Sequence, residues 1–359
     1  MNPQVKKWVS IWLAIGLILV FVQVVIGGIT RLTDSGLSIT EWDLIKGVVP
    51  PTNEEAWNIA FDKYQTHAKK QYETIHQSMT LPEFKTIYFW EWFHRLWARS
   101  MGLIFIFPFI FFVYKKWLPS WLIKRLGLVI ALAALAGTFG WIMVASGLNE
   151  DNRTWVSAYK LAGHLLIATA LFSYLFYTFL KVVFEGKRKY AEPFLKKFVL
   201  GIILVCLIQI MLGGFMAGMR AGAIHTHWPI FAGNNHLLKI IGDPSLIQDS
   251  EIMNYEGSVW IKGIVQVFHR VFAGVLLLMA IYLPFRLRKL ANKLRYSSHV
   301  VLLLVGLQYL LGIFTIIGIV GNKTPVNLGV IHQGLALLVL VSLFHLYYWL
   351  DGTQKISSS

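Results

Sequence analysis

Eight stretches of this sequence are each long and apolar enough to cross a bilayer, and few folds can bury eight such stretches. They run near Trp8 to Ile29, Trp92 to Tyr114, Trp121 to Ser146, Ser157 to Val183, Phe194 to Ala217, Trp260 to Phe285, Ser297 to Val320 and Pro325 to Leu350. A helical crossing needs about 20 predominantly apolar residues. Inside hydrocarbon each segment must satisfy its own backbone donors and acceptors, which selects α-helices here. Charged residues are only 14% of the chain, against roughly 25% in soluble domains. An all-α integral membrane protein with eight transmembrane helices is therefore expected. The basic segment around Glu185 to Lys197 divides the spans four and four. That division predicts two tandem, pseudo-symmetric four-helix bundles, residues 1–184 and 185–359.

Internal repetition supports the division. Phe93-His94-Arg95 opens one span and Phe268-His269-Arg270 opens another at an offset of 175 residues. Gln23, Gly27 and Gly28 recur as Gln209, Gly213 and Gly214, and Gly36, Thr40 and Trp42 recur as Gly222, Thr226 and Trp228, all at an offset of 186. A duplication that keeps His-Arg in both copies predicts a site in each half. The paired glycines are read as close-packing positions between helices.

Lys and Arg mark one set of helix ends. Lys6, Lys7, Lys115, Lys116, Lys124, Arg125, Lys181, Lys187, Arg188, Lys189, Lys196, Lys197, Arg286, Arg288, Lys289, Lys293, Arg295 and Lys355 are more than half of the 33 basic residues. That face is expected to be cytoplasmic, with both termini on it. The net charge of +15 is thus a topology signal, and dispersal over short loops argues against a nucleic-acid partner. Only seven residues precede the first span, leaving no room for a cleaved leader, so a bacterial inner membrane is the expected location. Cys206, the sole cysteine, lies within a span, which excludes an intramolecular disulfide. The opposite face carries a polar loop, residues 32–89, too long for a simple connection and expected to fold over the mouth of the first bundle. Its Asn53 to Lys70 portion reads as a polar helix, with His67 and His76 as solvated residues.

His94, His164, His269 and His332 each lie within two or three turns of the outer end of an even-numbered span, so at 1.5 Å per residue they share one depth. A lone histidine in a membrane helix is usually a satisfied polar contact. Four at matched positions in a duplicated bundle point to axial ligation of iron in six-coordinate heme, His94 with His164 and His269 with His332. His299 and His345 lie towards the inner ends. His225 and His227 form a two-residue metal pattern, a weak signal. Arg95, Arg99 and Arg270 offer guanidinium forks for heme propionates, or they snorkel to the interface. Glu91 lies three residues before His94 on the same helix face, whereas the matching position three before His269 is Gln266. A carboxylate beside a porphyrin can move protons, and an amide cannot. The first half therefore reads as catalytic and the second as a fixed cofactor site. The alternative for Glu91 is an interfacial acid or a salt bridge to Arg95.

These residues resemble the heme A synthase family of cytochrome oxidase assembly proteins, over nearly the whole chain. The resemblance rests on Gly27-Gly-Ile-Thr-Arg31-Leu-Thr-Asp-Ser-Gly-Leu-Ser-Ile-Thr-Glu-Trp42, Gly47-Val-Val-Pro-Pro51, Glu91-Trp-Phe-His-Arg95, Gly140-Trp-Ile-Met-Val-Ala-Ser-Gly-Leu148, Phe268-His-Arg270 and His332-Gln333. The long first loop is similar to the proteobacterial and mitochondrial branch. The resemblance implies oxidation of the ring D methyl group of heme O to a formyl group, by two hydroxylations and loss of water. It implies that His94 and His164 hold the substrate heme O, that His269 and His332 hold a heme b cofactor, and that Glu91 is the catalytic carboxylate. Implied partners are the farnesyltransferase that makes heme O, cytochrome c oxidase assembly and an unidentified electron acceptor, and a homo-oligomer is compatible with it. One branch of the family has a cysteine pair in the outer loop, which this chain lacks. Arg220, His225 and His227 also depart from the family pattern. A diheme b-type electron-transfer cytochrome oxidising quinol would need the same four histidines and is the main rival. A transporter is disfavoured, because the spans lack unwound Gly/Pro breaks and paired carboxylates.

Overall fold

The computed structural model describes residues 1–41, 46–149, 155–187, 190–234, 236–247, 255–288 and 292–352. Trp42 of the repeat, and Arg188, Lys189, Lys289 and Lys355 of the basic set, lie outside them. The described residues are helical throughout, apart from loops and isolated bridges. Eight helices are long and apolar enough to cross a membrane: α1 (Pro3–Leu32), α3 (Leu81–Tyr114), α4 (Ser120–Asn149), α5 (Ala158–Val183), α6 (Pro193–Gly218), α7 (Val259–Leu287), α8 (Asn292–Ile317) and α9 (Val326–Leu350). A ninth, α2 (Glu54–His67), is polar and lies in the long loop, as its sequence predicts.

Helix ends follow local chemistry. Asn2 caps α1, its side chain accepting from Gln4 N at 3.0 Å, with Pro3 in the first turn. Asn53 caps α2 through Ala56 N at 2.8 Å. Helix α3 begins eleven residues before the predicted span start at Trp92. The reason is a capping box: Glu83 reaches back to Thr80 N at 2.7 Å and to the Thr80 hydroxyl at 2.8 Å, fixing the first turn of a segment whose polarity reads as loop.

That extension gives the long loop something to fold on. Leu37, Tyr64, Phe84, Ile87 and Val156 form a small separate core. Phe61 stacks on Phe84 at 4.8 Å and Trp57 meets Tyr88 edge-on at 5.1 Å. His67 is exposed as expected, but His76 is not a solvated residue: it is half-buried, with Nδ1 2.6 Å from the Tyr64 hydroxyl. Burial lowers its pKa below the ordinary histidine value.

With the first four long helices taken as one group in sequence and the last four as another, the groups meet through α5 with α6, α1 with α9, and α5 with α9, and α5–α6 is among the most extensive helix contacts. The paired glycines divide this labour. Gly28 abuts the Gln333 side chain of α9, and Gly214 abuts Ala162 of α5, so the second glycine of each pair lets the other group approach. Gln333 then donates to Val24 O at 3.0 Å. At the loop-bearing ends, Arg31 donates to Ala217 O at 2.7 Å and Asp34 accepts from Arg220 at 2.6 Å, both across 186 residues. Residues related by the repeat offset thus touch one another.

At Gly218, an added Cβ would sit 2.7 Å from Ala158 Cα, a backbone atom that cannot swing away. Gly218→Val is expected to destabilise the α5–α6 contact by about 1–3 kcal/mol or more. The check is a lowered midpoint for thermal aggregation of the purified protein, with Gly36→Ala, where nothing lies within 4 Å, as the unaffected control.

Candidate functional site

Each of the four histidines rests on a glycine of the helix that precedes its own among the eight. A Cβ on Gly27 of α1 would lie 3.2 Å from His94 Nε2, one on Gly140 of α4 3.1 Å from His164 Cε1, one on Gly213 of α6 3.5 Å from His269 Cε1, and one on Gly312 of α8 3.1 Å from His332 Cε1. At three of the four an added Cβ would press on the ring and at Gly213 it would just touch it, so the glycines let the imidazoles lie close against the neighbouring helix. The first glycine of each Gly-Gly pair therefore supports the histidine of its own group.

Four residues before three of these glycines stands a glutamine. Gln23 donates to His94 O at 3.3 Å, Gln209 to His269 O at 2.9 Å, and Gln308 to His332 O at 3.0 Å. The fourth position is Ala136, whose backbone carbonyl takes the His164 ring N–H. Sequence reading finds Gln23 and Gln209 as a repeat but misses Gln308–Gly312 and Ala136–Gly140. The signal was the Gln-x-x-x-Gly spacing, legible in the eighth-helix pairing once the first two copies are aligned by their histidines.

The imidazoles come together in pairs. His269 and His332 have ring centroids 6.5 Å apart at an interplanar angle of 70°, and His94 lies within electrostatic reach of His164. Nδ1 of His164, His269 and His332 is buried with no hydrogen-bond partner. A buried ring nitrogen without a partner costs about 1–3 kcal/mol, and coordination of a metal by the ring relieves it. The close approach of the two rings fits a pair that would hold one metal between them. Among the described residues no group of three or more His, Cys, Asp or Glu side chains is assembled. Two histidines without a third protein ligand suit an iron whose remaining four ligands belong to a macrocycle.

Two of the three arginines bond to the loops above them. Arg95 donates to Ile39 O and Glu41 O, both at 2.9 Å. Arg270 donates to His225 O at 2.9 Å and His227 O at 2.8 Å. Ile39 with His225 and Glu41 with His227 are equivalent under the 186-residue offset, so each arginine clamps the same pair of loop carbonyls above its histidine. This also gives His225 and His227 a role through their backbones. Their rings lie 5.6 Å apart. Arg99 sits one turn deeper than Arg95 on α3, at the position Gly274 takes in α7.

Glu91 and Gln266 occupy matched places with opposite polarity. Both are buried, at 2% and 0% exposure. Glu91 pairs with Arg95 on one oxygen, while the other accepts from the Ser38 hydroxyl at 2.8 Å and Ile39 N at 2.9 Å. The salt bridge read as an alternative in the sequence is present. A carboxylate has about four acceptor positions, so three donors leave one unused. Gln266 instead donates, to Gly222 O at 3.2 Å and His225 O at 3.0 Å. The first loop offers donors to an anion. The second offers acceptors to an amide.

The fold and site define a multi-pass helical membrane protein carrying two half-buried histidine pairs, one of them beside a buried carboxylate. The cytochrome oxidase assembly protein family model matches residues 10–344. A heme A synthase of Parvibaculum lavamentivorans is 39% identical over 338 residues, 94% of this chain and 93% of that protein. Heme A synthases of Flavobacterium psychrophilum and Bartonella henselae are each 36% identical, covering 94% and 96% of this chain and 96% and 92% of their own. The chain belongs to the cytochrome oxidase assembly protein family.

Proposed function

We propose that this protein is a heme A synthase, an oxidoreductase converting the ring D methyl group of heme O to the formyl group of heme A. The observation that carries the site assignment is Glu91, a buried carboxylate in a shell of donors beside His94, where the second half has Gln266. The first four long helices with their capping loop form the substrate half, residues 1–184. The last four form a cofactor half, residues 185–359, the two related as pseudo-symmetric bundles.

His94 and His164 hold and orient heme O, and Arg95 and Arg99 supply the nearest guanidinium donors. His269 and His332 hold heme b, with Arg270 fixing the loop above it. A bound heme b supplies one-electron redox chemistry at its iron. Glu91 takes protons from the reacting methyl side as each hydroxylation proceeds, and Arg95 holds its carboxylate in place. Ser38 and Ile39 hold the loop down on Glu91 and exclude bulk water from it. Each hydroxylation takes its oxygen from water and releases two electrons and two protons, and the geminal diol formed by the second loses water to give the formyl group. Electrons leave to an acceptor outside this chain. Heme O comes from a farnesyltransferase, and heme A goes on to cytochrome c oxidase assembly. The positive-inside pattern supports a bacterial cytoplasmic membrane, both termini cytoplasmic and both histidine pairs near the outer face.

The test is extraction of porphyrins from protein purified out of cells that also make heme O, identified by mass. Heme A or its alcohol precursor is the expected result. Protoheme alone, at two per chain, overturns the synthase in favour of a diheme electron-transfer cytochrome.

A further inference from the structure

We infer that the seam between α3 and α4 is a lateral port through which the first half takes its macrocyclic substrate, hydrophobic tail included, directly from the bilayer. Gln308 and Tyr309 close the matching seam in the second half. The inference rests on the proposed heme O chemistry and adds the route.

The two halves differ most in one helix pair. In the second half α7 and α8 pack extensively against each other, whereas α3 and α4 meet sparsely. Helices α3 and α4 are joined by a short turn at the basic face, where Phe112 stacks on Trp117 at 5.6 Å. The histidines His94 and His164 lie towards the ends of the pair remote from this turn.

The residues at the seam account for the difference. Gly140 and Gly312 occupy equivalent places under His164 and His332. Counting back from each, Ala136-Gly137 on α4 stand where α8 has Gln308-Tyr309. Gln308 reaches over to His332 O at 3.0 Å, and the Tyr309 phenol lies within electrostatic reach of Arg270 on α7. Gln308 thus ties α8 to α9 through its side chain, and Tyr309 brings a large side chain to the level of the histidines. Ala136 meets α5 only through its backbone carbonyl, which takes the His164 ring N–H, and neither Ala136 nor Gly137 has a side chain that could reach α3. On α3, Gly102 stands where α7 has Leu277. A Cβ on Gly102 or on Gly137 would meet nothing within 4 Å. Behind the pair, Nδ1 of His164 is buried and unpartnered, so the opening leads to a waiting lone pair.

The chemistry of the occupant follows. Exposed side chains flanking the seam on the membrane-facing surface are apolar, among them Ile106 and Phe107 of α3 and Leu135 and Trp141 of α4. A macrocycle carrying a farnesyl-derived chain is already dissolved in the bilayer and slides in edge-first without crossing water. A cofactor that must stay bound needs the opposite arrangement, and the Gln308-Tyr309 pair provides it.

The test uses the full chain in lipid nanodiscs, with heme O supplied from phosphatidylcholine vesicles and loading followed by absorbance. Cysteines replace Gly102 and Gly137 in a Cys206→Ala background and are bridged with a reversible bifunctional thiosulfonate. Bridging is expected to abolish heme O loading and reductant to restore it, with the second-half heme unchanged throughout. Ala136→Gln with Gly137→Tyr is expected to purify with the second-half heme and without heme O. Tyr309→Gly is expected to make the second-half heme exchange with labelled protoheme in vesicles. Loading at the unbridged rate after bridging, or heme O at wild-type amounts in the double variant, overturns the port. If wild type loads heme O through the seam yet forms no heme A, the port stands and the synthase reading falls. If wild type forms heme A and bridging changes nothing, the reverse holds.

Discussion

Glu91→Gln is expected to lower conversion of heme O by about 10²–10⁴-fold while leaving the second-half heme in place. The substitution keeps shape and volume and removes one property, the ability to take a proton. Its structural cost is bounded by the surroundings. Breaking a buried ion pair costs about 3–5 kcal/mol when the remaining charge is stranded. Arg95 is not stranded, because Ile39 O and Glu41 O still accept from it. The amide of the variant meets donors at Ser38 and Ile39 N, which its carbonyl oxygen can still receive. Extracted porphyrin from the variant should be heme O, without heme A or its alcohol. Conversion at the wild-type rate would mean that Glu91 serves only to pin the loop. The reciprocal change, Gln266→Glu, is expected to destabilise the protein. It places an anion against Gly222 O and His225 O, both acceptors, and it confers no chemistry on the second half.

Much of this was legible in the sequence, for identifiable reasons. Helix count and placement follow from hydrocarbon, which demands long apolar runs, and seven of the eight spans begin within about one turn or two of the expected residue. The exception is α3, where the apolar signal starts late and the Thr80-Leu-Pro-Glu83 capping box, itself readable, sets the start. The four histidines and the Glu91–Gln266 contrast were visible because polar residues in apolar helices stand out. Their supports were not. Gly140, Gly312 and Ala136 look like any small residues of a membrane helix until the imidazole packed on each is seen. The arginine clamps were hidden for a similar reason. Arg95 and Arg270 each hold two backbone carbonyls of the loop above, and such acceptors leave no mark in a sequence. His76 looked solvated because nothing in its local pattern announces Tyr64, twelve residues earlier, folding back onto it.

Single histidine replacements should divide by half, and the division tests the pairing itself. His269→Ala and His332→Ala are each expected to lose the second-half heme, leaving heme O as the only bound porphyrin. His94→Ala and His164→Ala should lose heme O and retain the other. In the heme-free protein these changes should be mild, because the deleted rings of His164, His269 and His332 each bring a buried Nδ1 with no partner, a cost of about 1–3 kcal/mol that Ala removes. The loss appears only when ligand is present, since a group that binds the folded state stabilises it by mass action, about 2.7 kcal/mol at a hundredfold excess over Kd. Thermal midpoints of heme-loaded and heme-free preparations should therefore converge for His269→Ala and stay separated for a control such as His299→Ala. His299 is exposed and bonded to Arg295 O within its own helix. If His269→Ala keeps its heme while His332→Ala loses it, axial ligation in the second half is single-sided. The carbonyl clamp from Gln209 at 2.9 Å then holds a histidine that never touches iron, and the symmetry between the halves ends at packing.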